Sequence, residues 1–208
     1  MKIPHYFLNL EGNKTFQITS YGDIISFDTP STKKIDKLAL IDRAGVICEK
    51  VKSHEYITTP EEIIMLDGTG EAIRYLNEKD IPVVIITNQQ GIYKRRLDYK
   101  GLYEIDLKIQ KELKKYNAQL DLILFCPHGA SIERGNTLEK SCTCRKPEPG
   151  MINLALKLFN VNKSDTFLFG DSESDILAAE KAGINPIWIA TQHDEYKKMR
   201  NKMIINHP

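Results

Sequence analysis

The chain has 208 residues, of which 41% are hydrophobic and 27% are charged, and its formal net charge is +1. This length allows one well-cored domain with a small appendage. The near-neutral charge gives no electrostatic basis for binding nucleic acid or an anionic membrane, and no apolar run approaches the length of a membrane span. The N-terminus lacks an apolar signal core, so we expect a cytoplasmic protein.

Residues 1–37 are predicted to form a β-rich extension that precedes the main domain. Phe16 and Ile18 alternate with polar residues, Gly22-Asp23 offers a turn, and the apolar run Ile24–Phe27 follows. This pattern is typical of a β-hairpin. We interpret it as an accessory flap or an edge extension of a sheet.

Residues 38–208 alternate short apolar runs with helical patterns, which predicts a Rossmann-like α/β domain with a doubly wound parallel sheet. The apolar runs are almost continuous, as expected where helices cover both faces of a sheet. The predicted strands are Leu38–Ile41, Pro82–Ile86, Leu122–Phe125, Thr166–Phe169 and Pro186–Ile189. The predicted helices are Gly70–Lys79, Tyr99–Tyr116, Met151–Phe159 and Ser174–Ala182, with Gly183 capping the last. Only short insertions separate these elements, so we expect a minimal cap.

Polar residues follow several of these strands at the carboxyl edge, where open parallel sheets bind ligands. They are Asp42 after the first strand, Thr87, Asn88 and Gln89 after the second, Arg145 and Lys146 before the third helix, and Asp171 and Asp175 after the fourth strand. Taken singly, each is more often a turn or capping residue. Their complementary roles at one edge favour a single site. Asp171 and Asp175 stand four residues apart, so they share a face if the helix begins by Asp171, and we assign Asp175 a supporting role.

These residue types predict chemistry on a phosphate group. Asp42 is the candidate nucleophile, attacking phosphorus through its carboxylate. Asp42, Asp171 and the backbone carbonyl of Ala44 are the candidate ligands of a catalytic Mg²⁺, which shields charge on the nucleophile and the phosphate. Thr87 and Lys146 would bind the equatorial phosphate oxygens as charge is redistributed.

Three cysteines and one histidine have the spacing of a structural Zn²⁺ site. They form two close pairs separated by thirteen residues, Cys126 with His128 and Cys142 with Cys144. Two such pairs, closing a loop over residues 126–144, fill all four positions of a tetrahedral zinc. Cys144 directly precedes the two cations at the site, so the metal would also fix the backbone that presents them.

These segments resemble the four motifs of the haloacid dehalogenase superfamily of phosphohydrolases. More narrowly, they resemble its D-glycero-D-manno-heptose 1,7-bisphosphate phosphatase and histidinol-phosphate phosphatase branch. The resemblance rests on Asp42-Arg43-Ala44-Gly45-Val46, Thr87-Asn88-Gln89-Gln90-Gly91, Cys144-Arg145-Lys146-Pro147, and Gly170-Asp171 with Asp175. It covers residues 38 to about 190. It implies a phosphoaspartate mechanism, a catalytic Mg²⁺, and a zinc loop that shapes the substrate pocket.

The resemblance also bears on the substrate. The long loop between the zinc pairs, and Val46 where histidinol-phosphate members have threonine, favour the heptose-bisphosphate side. Where the branch has Ala-Arg-Gly this chain has Tyr93-Lys94-Arg95, which still suits an anionic ligand. The residues assigned to binding a small phosphorylated sugar are Asn88, Gln89, Lys94, Arg95 and Arg145. Histidinol phosphate is the alternative substrate, and a monomer or small homo-oligomer is expected.

Ala44 departs from the motif, which has a second aspartate there. That carboxylate protonates the leaving alcohol and then activates water against the phosphoaspartate, help worth about 10²–10⁴ in rate. One explanation is a phosphatase whose general acid was removed by deliberate substitution. Another is an enzyme whose leaving group needs no protonation, as in phosphonoacetaldehyde hydrolase of the same superfamily. A third is a phosphosugar-binding or regulatory protein without turnover. The joint presence of Asp42, Lys146 and Asp171 favours an enzyme.

Overall fold

A computed structural model of the chain describes residues 5–8, 15–18, 35–51, 56–129 and 142–190. Near the N-terminus, β1 (His5–Leu8) and β2 (Thr15–Ile18) form an antiparallel pair in which Tyr6 lies opposite Gln17. The described partner of β2 is therefore an upstream strand. The predicted turn at Gly22-Asp23 and the predicted strand at residues 24–27 lie outside the described residues.

Five parallel strands form the central sheet in the order β5-β4-β3-β6-β7. These strands are β3 (Leu38–Ile41), β4 (Val83–Asn88), β5 (Leu122–Cys126), β6 (Thr166–Gly170) and β7 (Asn185–Trp188). The chain builds β3, β4 and β5 toward one edge and then continues with β6 and β7 on the other side of β3. The predicted doubly wound parallel sheet is thus confirmed, with its switch point between β3 and β6, where such sheets bind ligands.

Helices connect the strands and cover the sheet. They are α1 (Thr69–Glu78), α2 (Gln90–Tyr93), α3 (Tyr99–Lys114), α4 (Gly150–Phe159) and α5 (Glu173–Ala182), with single 3₁₀ turns at Pro60–Glu62 and Lys163–Asp165. The four predicted helices are confirmed to within two residues at each end. Gly183 caps α5 in the left-handed conformation, with φ of 74°. The short α2 was not predicted, because four residues are too few to show a helical period. None of the described helices combines the length and the apolar composition needed to cross a bilayer.

The core forms two layers, one on each face of the sheet. Leu38 and Leu40 of β3 point to the face covered by α4 and α5, where they join a buried apolar cluster. Ala39 and Ile41 point to the opposite face and join a second cluster that includes Ile73 of α1 and residues of α3. All four residues of β3 are therefore buried, which explains the unbroken apolar run in the sequence. Because β3 is packed on both faces of the sheet, its C-terminal end, where Asp42 follows, is held in a fixed position at the carboxyl edge.

Candidate active site

Three aspartates meet at the switch point of the sheet. Asp42 directly follows β3, and its backbone N–H donates to the carbonyl of Phe169 in β6 at 2.9 Å. Asp171 directly follows β6, and Asp175 lies in the first turn of α5. One carboxylate oxygen from each of these aspartates lies within 4.8 Å of the other two. The structure therefore brings together the acids that were predicted from the strand ends.

The loop after Asp42 lies against Asp171. Gly45 has a φ of +95° in this loop, and a Cβ added to it would collide with the carboxylate of Asp171. Only glycine satisfies both the left-handed backbone and the close approach. Gly45 thus lets the segment that carries Ala44 lie directly beside the acid at the end of β6.

Lys146 is the buried cation of this cluster. Its Nζ donates to Asp42 Oδ1 at 2.8 Å, to the carbonyl of Ile86 at 2.9 Å, and to Asp175 Oδ1. Burial disfavours the ammonium, but the carboxylates of Asp42 and Asp175 outweigh that effect and raise the pKa of Lys146. Burial likewise raises the pKa of Asp42, against the opposing charge of Lys146. Lys146 is therefore a charged group held in one position.

Asn88 holds the backbone of Lys146 through two hydrogen bonds. Its Nδ2 donates to the carbonyl of Lys146 at 3.0 Å, and its Oδ1 accepts from the Lys146 N–H at 3.0 Å. Asn88 lies at the end of β4, so it links that strand to the loop carrying the cation. These contacts show a residue that positions Lys146. The predicted role of Asn88 in substrate binding remains a prediction.

A buried chain of polar groups orients Thr87. Arg43 donates to Gln89 Oε1 at 2.9 Å, and Gln89 Nε2 donates to Thr87 Oγ1 at 2.9 Å. Because a guanidinium can only donate, the amide of Gln89 must turn its oxygen to Arg43 and its nitrogen to Thr87. The hydroxyl of Thr87 consequently accepts from Gln89, and its own hydrogen remains available to an anion in the pocket.

Arg43 is in turn fixed by Asp106 of α3. Both side chains are buried, and Arg43 NH1 lies 3.3 Å from Asp106 Oδ1. Burial raises the pKa of Asp106 to about 6, although the charge of Arg43 opposes it. Nothing in the sequence pattern pairs two residues that stand 63 positions apart, so this support for Thr87 was missed.

Asp175 is fully buried within the cluster. In addition to Lys146, it accepts from the backbone N–H of Ser172 at 3.1 Å and from the Ser172 hydroxyl, as part of a capping box that begins α5. Its oxygens thus hold both the cation and the start of the helix. The supporting role assigned to Asp175 remains a prediction.

A cavity of about 350 Å³ opens above these groups. The cavity is lined by Asp42, Ala44, Thr87, Lys146 and Asp171, among others. Among the described residues of this lining, Asp42 and Asp171 supply the only carboxyl groups. No described residue of the lining therefore supplies the carboxyl group that Ala44 lacks.

Lys50 also lines this cavity, although no motif in the sequence indicates it. Its Nζ lies 2.6 Å from Asp171 Oδ2. Burial raises the pKa of Asp171 above its ordinary value, and the hydrogen bond and charge of Lys50 oppose that shift. Lys50 follows Asp42 by eight positions and belongs to no recognisable motif. Its contact with Asp171 is therefore evident only from the path of the loop in the structure.

The four predicted zinc ligands come together at the end of β5. The distances from His128 Nδ1 to the sulfurs of Cys126, Cys142 and Cys144 are 3.4, 3.2 and 3.3 Å. Cys142 Sγ lies 3.7 Å from Cys126 Sγ and 3.3 Å from Cys144 Sγ. The edges of a tetrahedron of these ligands around zinc are about 3.5 to 3.8 Å long. The described part of this loop fits such a metal, whereas residues 130–141 lie outside the described residues.

Three of the predicted binding residues, Lys94, Arg95 and Arg145, are not part of the cavity lining. Arg145 donates to the carbonyl of His128 at 3.2 Å and to Gln90 Oε1 at 3.0 Å, so it connects the cysteine cluster to α2. Lys94 lies over the ring of Tyr56, 5.4 Å from its centroid. Arg95 lines a separate groove near the start of α3. The roles of all three in binding substrate remain predictions.

Comparison with known proteins finds similarity to phosphatases. A family model described as HAD-hydrolase-like matches residues 143–206. The D-glycero-beta-D-manno-heptose-1,7-bisphosphate 7-phosphatase of Neisseria meningitidis is 32% identical over 155 residues, which are 74% of this chain and 78% of that protein. The corresponding alpha-anomer phosphatase of Photorhabdus laumondii is 31% identical over 175 residues, 82% of this chain and 92% of that protein.

A solved structure extends this similarity to three dimensions. It is the D,D-heptose 1,7-bisphosphate phosphatase from B. bronchiseptica, complexed with magnesium and phosphate. It matches with a TM-score of 0.69 at 32% identity, over 79% of this chain and 86% of that one. The similarity therefore covers most of this chain and most of each relative.

Proposed function

Because this chain belongs to the haloacid dehalogenase superfamily, we propose that it is a sugar-phosphate phosphatase acting through a phosphoaspartate on Asp42. The single observation that carries this proposal is the arrangement around Asp42. Its carboxylate lines a cavity at the switch point of the sheet, 2.8 Å from the fixed ammonium of Lys146. A carboxylate with a cation beside it and a hydroxyl donor opposite is suited to attack a phosphate group.

In the first step, an oxygen of Asp42 forms a bond to phosphorus and the bond from phosphorus to the sugar oxygen breaks. Lys146 and the Thr87 hydroxyl donate hydrogen bonds to the phosphate oxygens as their charge is redistributed. In the second step, water attacks phosphorus, the bond to Asp42 breaks, and phosphate leaves. The hydrogen bonds of Asn88 and Gln89 keep Lys146 and Thr87 in position during both steps.

The oxygen donors of the site fit Mg²⁺. We propose that Asp42, Asp171 and the backbone carbonyl of Ala44 hold the ion, because hard cations prefer carboxylate and carbonyl oxygens. When bound, the ion reduces the repulsion between the anionic nucleophile and the anionic phosphate. The relative from B. bronchiseptica, whose structure contains magnesium and phosphate, supports this assignment.

Ala44 leaves both steps without proton transfer from a side chain at this position. The leaving sugar oxygen must take its proton from water, and the attacking water must lose its proton without a base at residue 44. The expected loss is about 10²–10⁴ in rate. Binding of phosphate does not depend on the missing group, so affinity for the substrate would be retained.

We propose a heptose bisphosphate or a closely related phosphorylated sugar as the substrate. The phosphatases of N. meningitidis and P. laumondii, which are named for this class of substrate, support that choice. A structural zinc bound by the cluster at Cys126 would shape one wall of the site. Cys144 directly precedes Arg145 and Lys146, so the metal would order the segment that carries these cations.

A second candidate function is favoured by one observation, the absence of a carboxyl group at residue 44. The same cavity without turnover would serve a phosphosugar-binding or regulatory protein. Retention of the nucleophile, the cation and the second acid in one cluster argues for the enzyme, since binding alone does not require the nucleophile.

The test is steady-state phosphate release, with Mg²⁺, from heptose 1,7-bisphosphate, hexose phosphates, histidinol phosphate and p-nitrophenyl phosphate. The chain would be compared with Ala44→Asp and, as a size-matched control, with Ala44→Asn. We expect Ala44→Asp to raise the rate at least about tenfold and Ala44→Asn to leave it unchanged. Equal rates in all three folded proteins would contradict an impaired phosphatase. If none of the three proteins releases phosphate but sugar phosphate still binds, the chain is the phosphosugar-binding protein.

A further inference from the structure

Lys50 places a second ammonium group in the proposed active site. Its Nζ lies 2.6 Å from Asp171 Oδ2, and the side chains of Lys50 and Asp171 are 34% and 3% exposed. A Cβ added to Gly45 would meet both the Asp171 carboxylate and the Cε of Lys50. The stem of Lys50 and the acid thus enclose the glycine, and the ammonium reaches the acid from the more exposed side.

The two lysines of the cluster differ in how firmly they are held. Lys146 is 4% exposed and donates to two carboxylates and one carbonyl. Lys50 is about a third exposed on a flexible four-carbon stem. Lys146 is therefore a fixed part of the site, whereas Lys50 can move away from Asp171 when another cation arrives.

The lysines also change the charge that a metal ion would meet. The cluster contains three carboxylates, those of Asp42, Asp171 and Asp175. Lys146 and Lys50 provide two positive charges in direct contact with them. Among these described groups one negative charge remains, so a divalent cation entering beside Lys50 would make their sum positive. Like charges this close repel strongly in a partly buried site.

We propose that Lys50 is a built-in monovalent cation that competes with a divalent metal for Asp171. Magnesium binds carboxylate oxygens at about 2.0 to 2.1 Å, so an ion on either oxygen of Asp171 would lie close to the ammonium that holds Oδ2. Lys50 therefore weakens Mg²⁺ binding and lets the cavity hold phosphate without the metal. This inference rests on the proposed function, because it concerns the same site and its phosphate ligand.

The test uses the full-length, zinc-loaded chain and titrates Mg²⁺ by isothermal calorimetry. Lys50→Met removes the charge and keeps the stem, whereas Lys50→Arg keeps the charge. Lys181→Met is the matched control, because Lys181 also pairs with a carboxylate, Glu148, at 2.6 Å, but on the surface. We expect Lys50→Met to bind Mg²⁺ at least about tenfold more tightly than the parent chain, and the other two variants to match the parent. Equal Mg²⁺ affinities in the parent and Lys50→Met would overturn the proposal.

A second measurement needs only the parent chain and so stands if Lys50→Met fails to fold. Orthophosphate is titrated into the parent chain in Mg²⁺-free buffer and again in Mg²⁺. We expect phosphate to bind in both, with affinities that differ less than about threefold, since Lys50 already supplies a cation. Phosphate binding that requires Mg²⁺ would overturn the proposal. Neither titration depends on turnover, so these outcomes are separate from those of the phosphate-release assay.

Discussion

Two clusters of side chains whose atoms suit a metal ion lie at the carboxyl edge of the sheet, and they differ in their counter-charges. The cluster at the end of β5 brings three thiol sulfurs and an imidazole together through five contacts of 3.2 to 3.7 Å, and no lysine takes part in its described contacts. The cluster between β3 and β6 brings three carboxylates together, and each of them contacts a lysine. Among the residues that the structure describes, no lysine contacts the first cluster, whereas two contact the second.

This difference determines what each cluster needs from a metal. Thiolates at such short distances repel one another, so we expect the cysteine cluster to need an external cation to remain assembled and deprotonated. The aspartates keep their positions through Lys146 and Lys50, so the fold of that region does not depend on a metal. Metal removal should therefore disrupt the first cluster and leave the second intact.

The largest effect is expected when the cysteine cluster loses a ligand. We predict that Cys144→Ser lowers bound zinc from about one per chain to near zero, with a loss of several kcal/mol of stability, because structural zinc contributes roughly 10 kcal/mol in small domains. Metal analysis and thermal unfolding would measure both. Cys48→Ala is the control, because this buried thiol lies apart from the cluster, and burial raises its pKa to about 11. Equal zinc in parent and Cys144→Ser would refute the site.

A smaller but still large effect is expected when the aspartate cluster loses its fixed cation. Lys146→Met leaves Asp42 and Asp175 buried without this partner, which costs about 3 to 5 kcal/mol. Urea unfolding would measure the loss, and Asp175→Asn in the same chain should restore part of it. The surface pair of Lys181 offers a control expected to change stability by less than about 1 kcal/mol. A loss as small as that of Lys181→Met would contradict internal neutralisation of the cluster.

The smallest effect is expected at the buried ion pair of Arg43 and Asp106, which supports Thr87 through Gln89. Burial raises the pKa of Asp106 from 3.8 to about 6, with Arg43 opposing. The folded chain therefore binds a proton here more tightly than the unfolded chain, so this contribution to stability falls as the pH rises from about 4 to 6. The free energy of unfolding of the parent, relative to Asp106→Asn, should fall by about 1 to 3 kcal/mol over that range. If urea unfolding gives the parent and Asp106→Asn the same dependence of unfolding free energy on pH, the prediction is wrong.

The fold and the positions of the main polar groups could be predicted because they follow directly from strand ends and close spacing. Asp42 and Asp171 directly follow buried apolar runs, and parallel strands bring their carboxyl ends to one edge. The cysteine pairs were evident because each pair lies within three residues. In these cases local sequence determines position almost completely.

The contacts that orient these groups could not be predicted, because they join residues far apart in the chain. Arg43 and Asp106 meet only after α3 packs on the sheet. Lys50 reaches Asp171 because the loop turns at Gly45 in a left-handed conformation. Arg95 also has a positive φ, of 56°. It lines the groove near the start of α3, and not the cavity that contains Asp42, where it was predicted to bind substrate. Such placements depend on backbone geometry that residue types do not encode locally.

The most direct test of the central claim is the intact mass of the chain after mixing with p-nitrophenyl phosphate. This leaving group needs little protonation, so Asp42 should be phosphorylated readily, whereas hydrolysis of the phosphoaspartate should be slow without a base at residue 44. We predict the added mass of one phosphoryl group on the peptide that contains Asp42, and its absence in Asp42→Asn. Phosphate release that continues unchanged in Asp42→Asn, with no phosphorylated parent chain, would contradict the account.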